Sequence, residues 1–328
     1  MNRIPIFLFG LGPIGRQIGR LASERDDLRL VGGVDINPDL EGRDLGRVLG
    51  LEAALGIPVV RDLAALEAPA GAVALHATGS ALARVTGQFS ALLSGGFNVV
   101  STCEELAYPF FHQPARAREL DALARAHDVT LVGTGINPGF AMDTLPLVLT
   151  AVSRRVDSVR VERRVAAGLR REPLQRKIGA GLSREAFEAG VAAGTIRHVG
   201  LPESVAAIAA GLRWSLDRIA EQIEPVIAAE RISTAYLTVE PGQVAGVHQV
   251  ARGWEQARER VVLELTMAVS VPTAVDRTTI SGDPDLTMTL EGIHGDTATA
   301  AIVLNAVAPV VVARPGLLTM TDLTLVHR

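Results

Sequence analysis

Ile6-Phe7-Leu8-Phe9-Gly10-Leu11-Gly12-Pro13-Ile14-Gly15 reads as a buried strand, a glycine turn and the start of a helix. In such a unit the first glycine, Gly10, lets the chain turn tightly. Gly12 lets backbone N–H groups approach a pyrophosphate, and Gly15 lets the helix lie close to the strand with its positive dipole end toward the phosphates. Asp35 follows twenty residues after Gly15, at the end of a second apolar run, Leu28 to Val34. A carboxylate there accepts hydrogen bonds from adenosine ribose hydroxyls. Glycines alone are compatible with mere packing; strand before, helix after and acid at the end of the next strand make the pattern informative. Gly10, Gly12, Pro13, Ile14, Gly15 and Asp35 are therefore the expected dinucleotide contacts. An acid at 35 repels a ribose 2′-phosphate, so NAD(H) is favoured. Arg43, and less directly Arg16, keep NADP(H) open.

The bulk numbers narrow the class of protein. At 328 residues, 48% apolar, the chain is long enough for two domains with substantial cores. A net charge of −4 offers no basic field for a polyanion, so no nucleic-acid partner is expected. One cysteine, Cys103, excludes an internal disulfide and fits a reducing cytosol, hence a cytoplasmic location. No HxxxH or HExxH spacing occurs, so no metal is expected. The N-terminal apolar run is already used as a strand, and Ala298 to Ala313, broken by Asn305 and Pro309, falls short of the roughly 20 residues of a membrane span. It reads as a buried helix, and no membrane partner is expected.

Past a polar, turn-rich segment from Asn37 to Gly50, strands and helices alternate. Ala72 to Ala77, Phe97 to Ser101 and Val129 to Val132 are strand-like, while Leu82, Val85, Phe89, Leu92 and Leu93, then Leu120, Leu123 and Ala124, recur at helical spacing. This predicts an α/β, Rossmann-type, doubly wound parallel sheet. The rhythm changes near Gly139. Val159 to Val165, Ala235 to Val239, Val244 to Val250, Val261 to Val269 and Leu286 to Leu290 alternate apolar with polar residues, predicting a second, α+β domain on a mostly antiparallel sheet. Arg184 to Ala193 and Glu203 to Ile223 read as helices, and Pro241-Gly242 as a hairpin turn. The expected division is a dinucleotide-binding domain at 1–140, rejoined by 298–328 with a strand at Leu323 to Val326, and a substrate and dimerisation domain at 141–297.

Ligands of an open parallel sheet lie beyond the carboxyl ends of its strands. Small and hydroxyl residues at Thr78, Gly79 and Ser80 suit a nicotinamide ribose against backbone, and Asn137, in Gly133-Thr134-Gly135-Ile136-Asn137-Pro138-Gly139-Phe140, offers a donor and an acceptor to a carboxamide. Turn chemistry alone also explains these residue types. The string Ser101-Thr102-Cys103-Glu104-Glu105 carries adjacent acids. Both Ser101-x-x-Glu104 and Thr102-x-x-Glu105 fit a capping box, which claims at most one acid for a helix start. The other is a candidate general base, its proton affinity raised by desolvation among Tyr108, Phe140 and Met142.

At these residues the chain resembles the 2,4-diaminopentanoate dehydrogenases and native amine dehydrogenases, within the group sharing the dihydrodipicolinate reductase N-terminal fold. The matching strings are Gly10 to Gly15, Gly42-Arg43-Asp44-Leu45-Gly46, Ser101 to Leu106, Gly133 to Phe140, Leu174-Gln175-x-Lys177-Ile178-Gly179, His198-Val199-Gly200 and Pro315-Gly316-Leu317-Leu318-Thr319. The resemblance implies reversible, NAD(P)-dependent deamination of an amine or diamino acid to a ketone and ammonia, run in reverse as reductive amination from ketone and ammonium. It implies Glu104 as the catalytic carboxylate, Thr102 and Cys103 beside the cofactor, and a homodimer. It puts Phe140, Met142, Leu174, Gln175, Ile178 and His198 nearest the substrate, although apolar residues at helical spacing are commonly core. His198, His248 and His294, as lone histidines, read as structural; Arg160 and Arg163 are candidates to bind a carboxylate if the substrate is an amino acid, but on an alternating strand they read as solvated. The alternatives are an imine or carbonyl reductase of the dihydrodipicolinate reductase type, whose histidine-pair and lysine signature is missing, and a non-catalytic NAD(H)-binding sensor.

Overall fold

The structure, a computed structural model, describes residues 3–328. The chain divides into two compact units, one running to Phe140 and resuming at Gly295–Arg328, the other Ala141–His294.

In the first unit the apolar runs become strands β1 (Ile4–Phe9), β2 (Leu28–Val34), β3 (Val59–Val60), β4 (Val73–His76), β5 (Asn98–Ser101) and β6 (Thr130–Gly133). With the C-terminal strand Gly316–Leu318 they form a sheet ordered Gly316–Leu318, β6, β5, β4, β1, β2, β3. Every neighbouring pair is parallel. The order reverses between β1 and β4, the switch point outside which ligands bind in such sheets. Helices α1 (Pro13–Ser23), α2 (Leu45–Leu49), α3 (Leu82–Ser94) and α4 (Pro114–Ala126) cover it. Alternate residues of β1 feed opposite faces. Ile6 and Leu8 join Ile18 of α1 and Val303 and Val307 of the C-terminal helices, whereas Phe7 joins Phe89 of α3 and Leu120 of α4.

Three expectations for this unit change. Asn37 to Gly50 is not simply loop, because Asp44 caps α2 by accepting the Arg47 N–H at 3.1 Å. Ala298 to Ala313 lies in two helices, Gly295–Asn305 and Val307–Val311, since Pro309 has no N–H to continue the first ladder. The last strand is Gly316–Leu318, paired with β6, and Leu323 to Val326 is irregular.

The second unit contains α5 (Thr144–Leu149), β7 (Arg155–Ala166), α6 (Glu172–Lys177), α7 (Arg184–Ala192), α8 (Leu201–Gly211), β8 (Arg218–Ile227), β9 (Ile232–Ser233), β10 (Thr238–Val239), β11 (Val244–Glu255), β12 (Arg258–Ala268), β13 (Val275–Asp283) and β14 (Leu286–Glu291). Its main sheet runs β14, β13, β7, β12, β11, β8, antiparallel except where β7 meets β12. One face buries Val159, Val161, Leu263 and Val247 against Phe187 of α7 and Leu201, Val205 and Ile208 of α8.

The helix expected over Glu203 to Ile223 ends at Gly211, and β8 takes up the remainder. Ile219 and Ile223 are spaced alike for a helix turn and for one side of a strand, and pairing with β11 decides. Pro241-Gly242 turns the chain but joins no paired strands, since β10 pairs with β9. Arg163 is not solvated: it lies on the core face with Val159, Val161 and Val165, directly across from Asp276 of β13, and its Nη1 donates to Oδ1 at 2.5 Å. Burial raises the Asp276 carboxyl above the usual range despite the opposing pull of Arg163. Arg160, on the other face, is exposed and pairs with Glu264 at 2.6 Å.

Candidate active site

The β1–α1 turn has the shape its glycines require. Gly10 sits at φ +97°, and a Cβ there would lie 2.7 Å from the Ala77 carbonyl oxygen at the end of β4. A Cβ on Gly15 would lie 1.9 Å from the Gly10 oxygen, so only glycine allows α1 to start this close to β1. Gly12 differs, because a Cβ there meets nothing within 4 Å. It is the N-cap of α1, with no side-chain cap and Pro13 opening the helix. An uncapped helix start beside open space held clear by a glycine is the cradle that a pyrophosphate fits. Ile14 beside it is half-buried.

Asp35 closes the other side of this turn. Its Oδ2 accepts the Leu11 N–H at 2.5 Å and its Oδ1 the Asn37 N–H at 2.9 Å, tying the end of β2 to the glycine turn. Each oxygen keeps a second lone pair, so the carboxylate can still accept from ribose hydroxyls. Arg16 is committed, its Nε donating to the Leu11 oxygen at 2.7 Å. Arg43 is exposed and forms no ion pair among the described residues.

The string carrying the two glutamates follows β5 as a short 3-10 turn, Glu104–Ala107. Neither expected capping box forms. Glu105 instead accepts the Leu82 N–H at 2.8 Å, supplying the α3 N-terminus with the cap that Ala81 cannot. Further ties fix the turn: Glu105 N–H donates to the Ser80 oxygen at 3.2 Å, Cys103 Sγ lies 3.2 Å from that same oxygen, and Thr102 N–H reaches the His76 oxygen at 2.9 Å. Gly133 at the end of β6 admits it, since a Cβ there would lie 2.5 Å from the Leu106 carbonyl carbon. Glu104 is half-buried on this anchored turn. Burial first, then the charges of Glu104 and Glu105, push the Cys103 thiol up to about 12, so it is no nucleophile at neutral pH.

Behind these strand ends lies a polar group to which the sequence reading gave no role. His76, fully buried at the end of β4, contacts Ser101, Thr78 and Gln88, and burial pushes its pKa down to about 4. A histidine closing an otherwise apolar strand was the available signal. Gly79 and Ser80 are half-buried after it, while Thr78 is exposed with its hydroxyl tied to Gln88. Asn137 is buried after β6, and the nearby Thr134 hydroxyl is buried without a hydrogen-bond partner.

In the second unit, Met142 and Ile178 are members of the core, with Leu174 packed against it. Gln175 is fully buried, its amide nitrogen donating to the Gly168 and Arg170 oxygens and its oxygen accepting from Thr234. His198 is half-buried, its N–H and carbonyl both held by the Gln249 amide at 2.9 and 2.7 Å. Phe140, the last residue of the first unit's leading segment, is half-buried. Among the described residues no cluster of three or more His, Cys, Asp or Glu could hold a metal, and no helix is long and apolar enough to cross a membrane.

A reversed-order parallel sheet with a glycine turn at its switch point and an acid after β2 defines a Rossmann-type dehydrogenase fold. The family model of the 2,4-diaminopentanoate dehydrogenase C-terminal domain matches residues 140–328, and the chain belongs to that family. It is 29% identical to the 2,4-diaminopentanoate dehydrogenase of Acetoanaerobium sticklandii, over 98% of this chain and 94% of that protein. It is 30% identical to an amine dehydrogenase of Streptomyces virginiae, over 48% of this chain and 45% of the other. The solved amine dehydrogenase of Mycobacterium smegmatis superposes with a TM-score of 0.88 at 24% identity, over all of this chain and 98% of that one, and so shares its fold.

Proposed function

We propose that the protein is an NAD(P)-dependent amine dehydrogenase. It catalyses reversible oxidative deamination of an amine or diamino acid to a ketone and ammonia, with Glu104 as general base. One observation supports the assignment of the base above others: of two adjacent acids after β5, Glu105 is spent on the α3 N-terminus. Glu104, on the anchored turn, is the one the family resemblance designates. The curated relatives named for acting on diaminopentanoate and amines support the substrate class.

The bound nicotinamide supplies the hydride acceptor in deamination and the hydride donor in amination. The first residues of α1 hold the pyrophosphate and Asp35 the ribose, which favours NAD(H), with Arg43 the cation for a 2′-phosphate. Thr78, Gly79, Ser80, Thr102, Cys103 and Asn137 are proposed to flank the nicotinamide end. The substrate amine arrives protonated, and its nitrogen cannot push electrons until a proton leaves. Glu104 takes that proton and passes it to solvent, and its regained negative charge then steadies the iminium left when hydride departs from carbon. Water adds to the iminium carbon, and carbon–nitrogen cleavage releases ketone and ammonium. Phe140, Met142, Leu174, Gln175, Ile178 and His198 are proposed to shape the substrate pocket, Met142, Gln175 and Ile178 from within the core. The resemblance further supports a homodimer.

The test follows NADH and NADPH consumption with ammonium and a panel of ketones and keto acids, for wild type and Glu104→Gln. Ammonium-dependent turnover is expected, lowered about 100-fold or more in the variant. Equal consumption without ammonium would make the protein a carbonyl reductase, and cofactor binding without turnover on any substrate would make it a sensor.

A further inference from the structure

The proton inventory around His76 has one consistent solution. Ser101 Oγ accepts the Cys103 N–H at 3.0 Å, so its own proton is available to His76 Nδ1 at 2.9 Å. The imidazole then carries its proton on Nε2, which faces Gln88 Oε1 at 2.8 Å. Thr78 Oγ1, 2.9 Å from Nε2, donates its hydrogen to Gln88 Oε1 at 2.6 Å. The opposite tautomer would leave the Ser101 proton without an acceptor in this group and set the Nε2 lone pair against the Gln88 oxygen. The ring is also fixed from the sides, stacked on Phe9 with centroids 5.6 Å apart and tilted against Phe89 at 4.5 Å.

We propose that His76 is a positioning residue for the catalytic turn: through Ser101 it fixes the Cys103 N–H, and so the backbone that carries Glu104, relative to the dinucleotide crevice. The inference rests on the reading of Glu104 as the base. The same cluster reaches the crevice directly, because Thr78, hydrogen-bonded to His76 and Gln88, places its Cγ2 2.8 Å from where a Cβ on Gly10 would be. One buried neutral imidazole thus braces the end of β4, the end of β5 and the glycine turn. None of its three side-chain partners is charged.

The experiment uses the full chain with ammonium, NADH and the best ketone. Ser101→Ala and His76→Phe, the latter keeping an aromatic ring between Phe9 and Phe89, are each expected to lower kcat about 10- to 100-fold, the cost of a reacting group displaced by about 1 Å. NADH affinity stays unchanged in Ser101→Ala, which leaves Thr78 and the glycine turn in place, and His76→Asn, whose amide oxygen can stand in for Nδ1, recovers part of the rate. Because both residues act through one link, the double variant is no slower than the slower single. Amide hydrogen exchange over 102–105 quickens in both variants. Multiplying losses in the double variant, or unaltered exchange in Ser101→Ala, overturns the proposal. Should His76→Phe fail to fold, kcat and exchange of Ser101→Ala decide. Wild-type turnover by Glu104→Gln would overturn the assignment of the base instead, a result on which the exchange measurement does not depend.

Discussion

His76 carries a cost and a benefit that can be separated by pH. The folded protein keeps the ring neutral down to about 4, against an ordinary value of 6.5. The unfolded chain takes up a proton below 6.5 that the folded protein refuses until about 4, so unfolding is favoured as pH falls through that window. Stability from this group is fully present above 6.5 and lost as pH drops through 4, a difference on the order of 3 kcal/mol. Urea unfolding at pH 7 and near pH 4 should show the wild type losing that much more than His76→Asn; parallel pH dependences would refute it. Neither this nor the division of labour between Glu104 and Glu105 is legible from residue spacing. Both acids fit a capping box on paper, and the amide that claims Glu105 belongs to Leu82, 23 residues earlier.

At the scale of the element, the β1–α1 turn was readable because each glycine answers a local constraint, yet the three do different things. Gly12→Ala adds a methyl into open space and should leave the folding free energy within about 0.5 kcal/mol. It should weaken NADH by about tenfold or more, or 1.4 kcal/mol, by occupying the space a pyrophosphate needs. Gly15→Ala drives a methyl into the Gly10 carbonyl and should cost about 3 kcal/mol or more in stability. Thermal unfolding and NADH fluorescence titration on the pair check this, and equal stability losses would remove the distinct role of Gly12. The alternating strands were legible for the same local reason. Strand β8 was not, because Ile219 and Ile223 satisfy both periods and only the neighbouring β11 selects one.

At the scale of the whole molecule, each unit has its own core, and the second hides a charge pair within its core. Asp276→Ala leaves the Arg163 guanidinium buried without its partner and should destabilise by about 3–5 kcal/mol. The double replacement Arg163→Met with Asp276→Leu should regain most of that loss, since two apolar side chains remove both desolvation penalties. Urea unfolding of the three proteins is the measurement, and a single variant as stable as wild type would contradict the burial. The sequence by itself determined the parallel sheet, the glycine turn after its first strand and the switch to a mostly antiparallel sheet, because apolar runs, glycine spacing and side-chain alternation are properties of neighbours along the chain. Only the tertiary structure decided that Glu105 is a cap, that His76 braces Ser101 and that Arg163 is a core residue. Their partners lie 23, 25 and 113 residues away, and a polar side chain acquires its role only when folding removes water and supplies that partner.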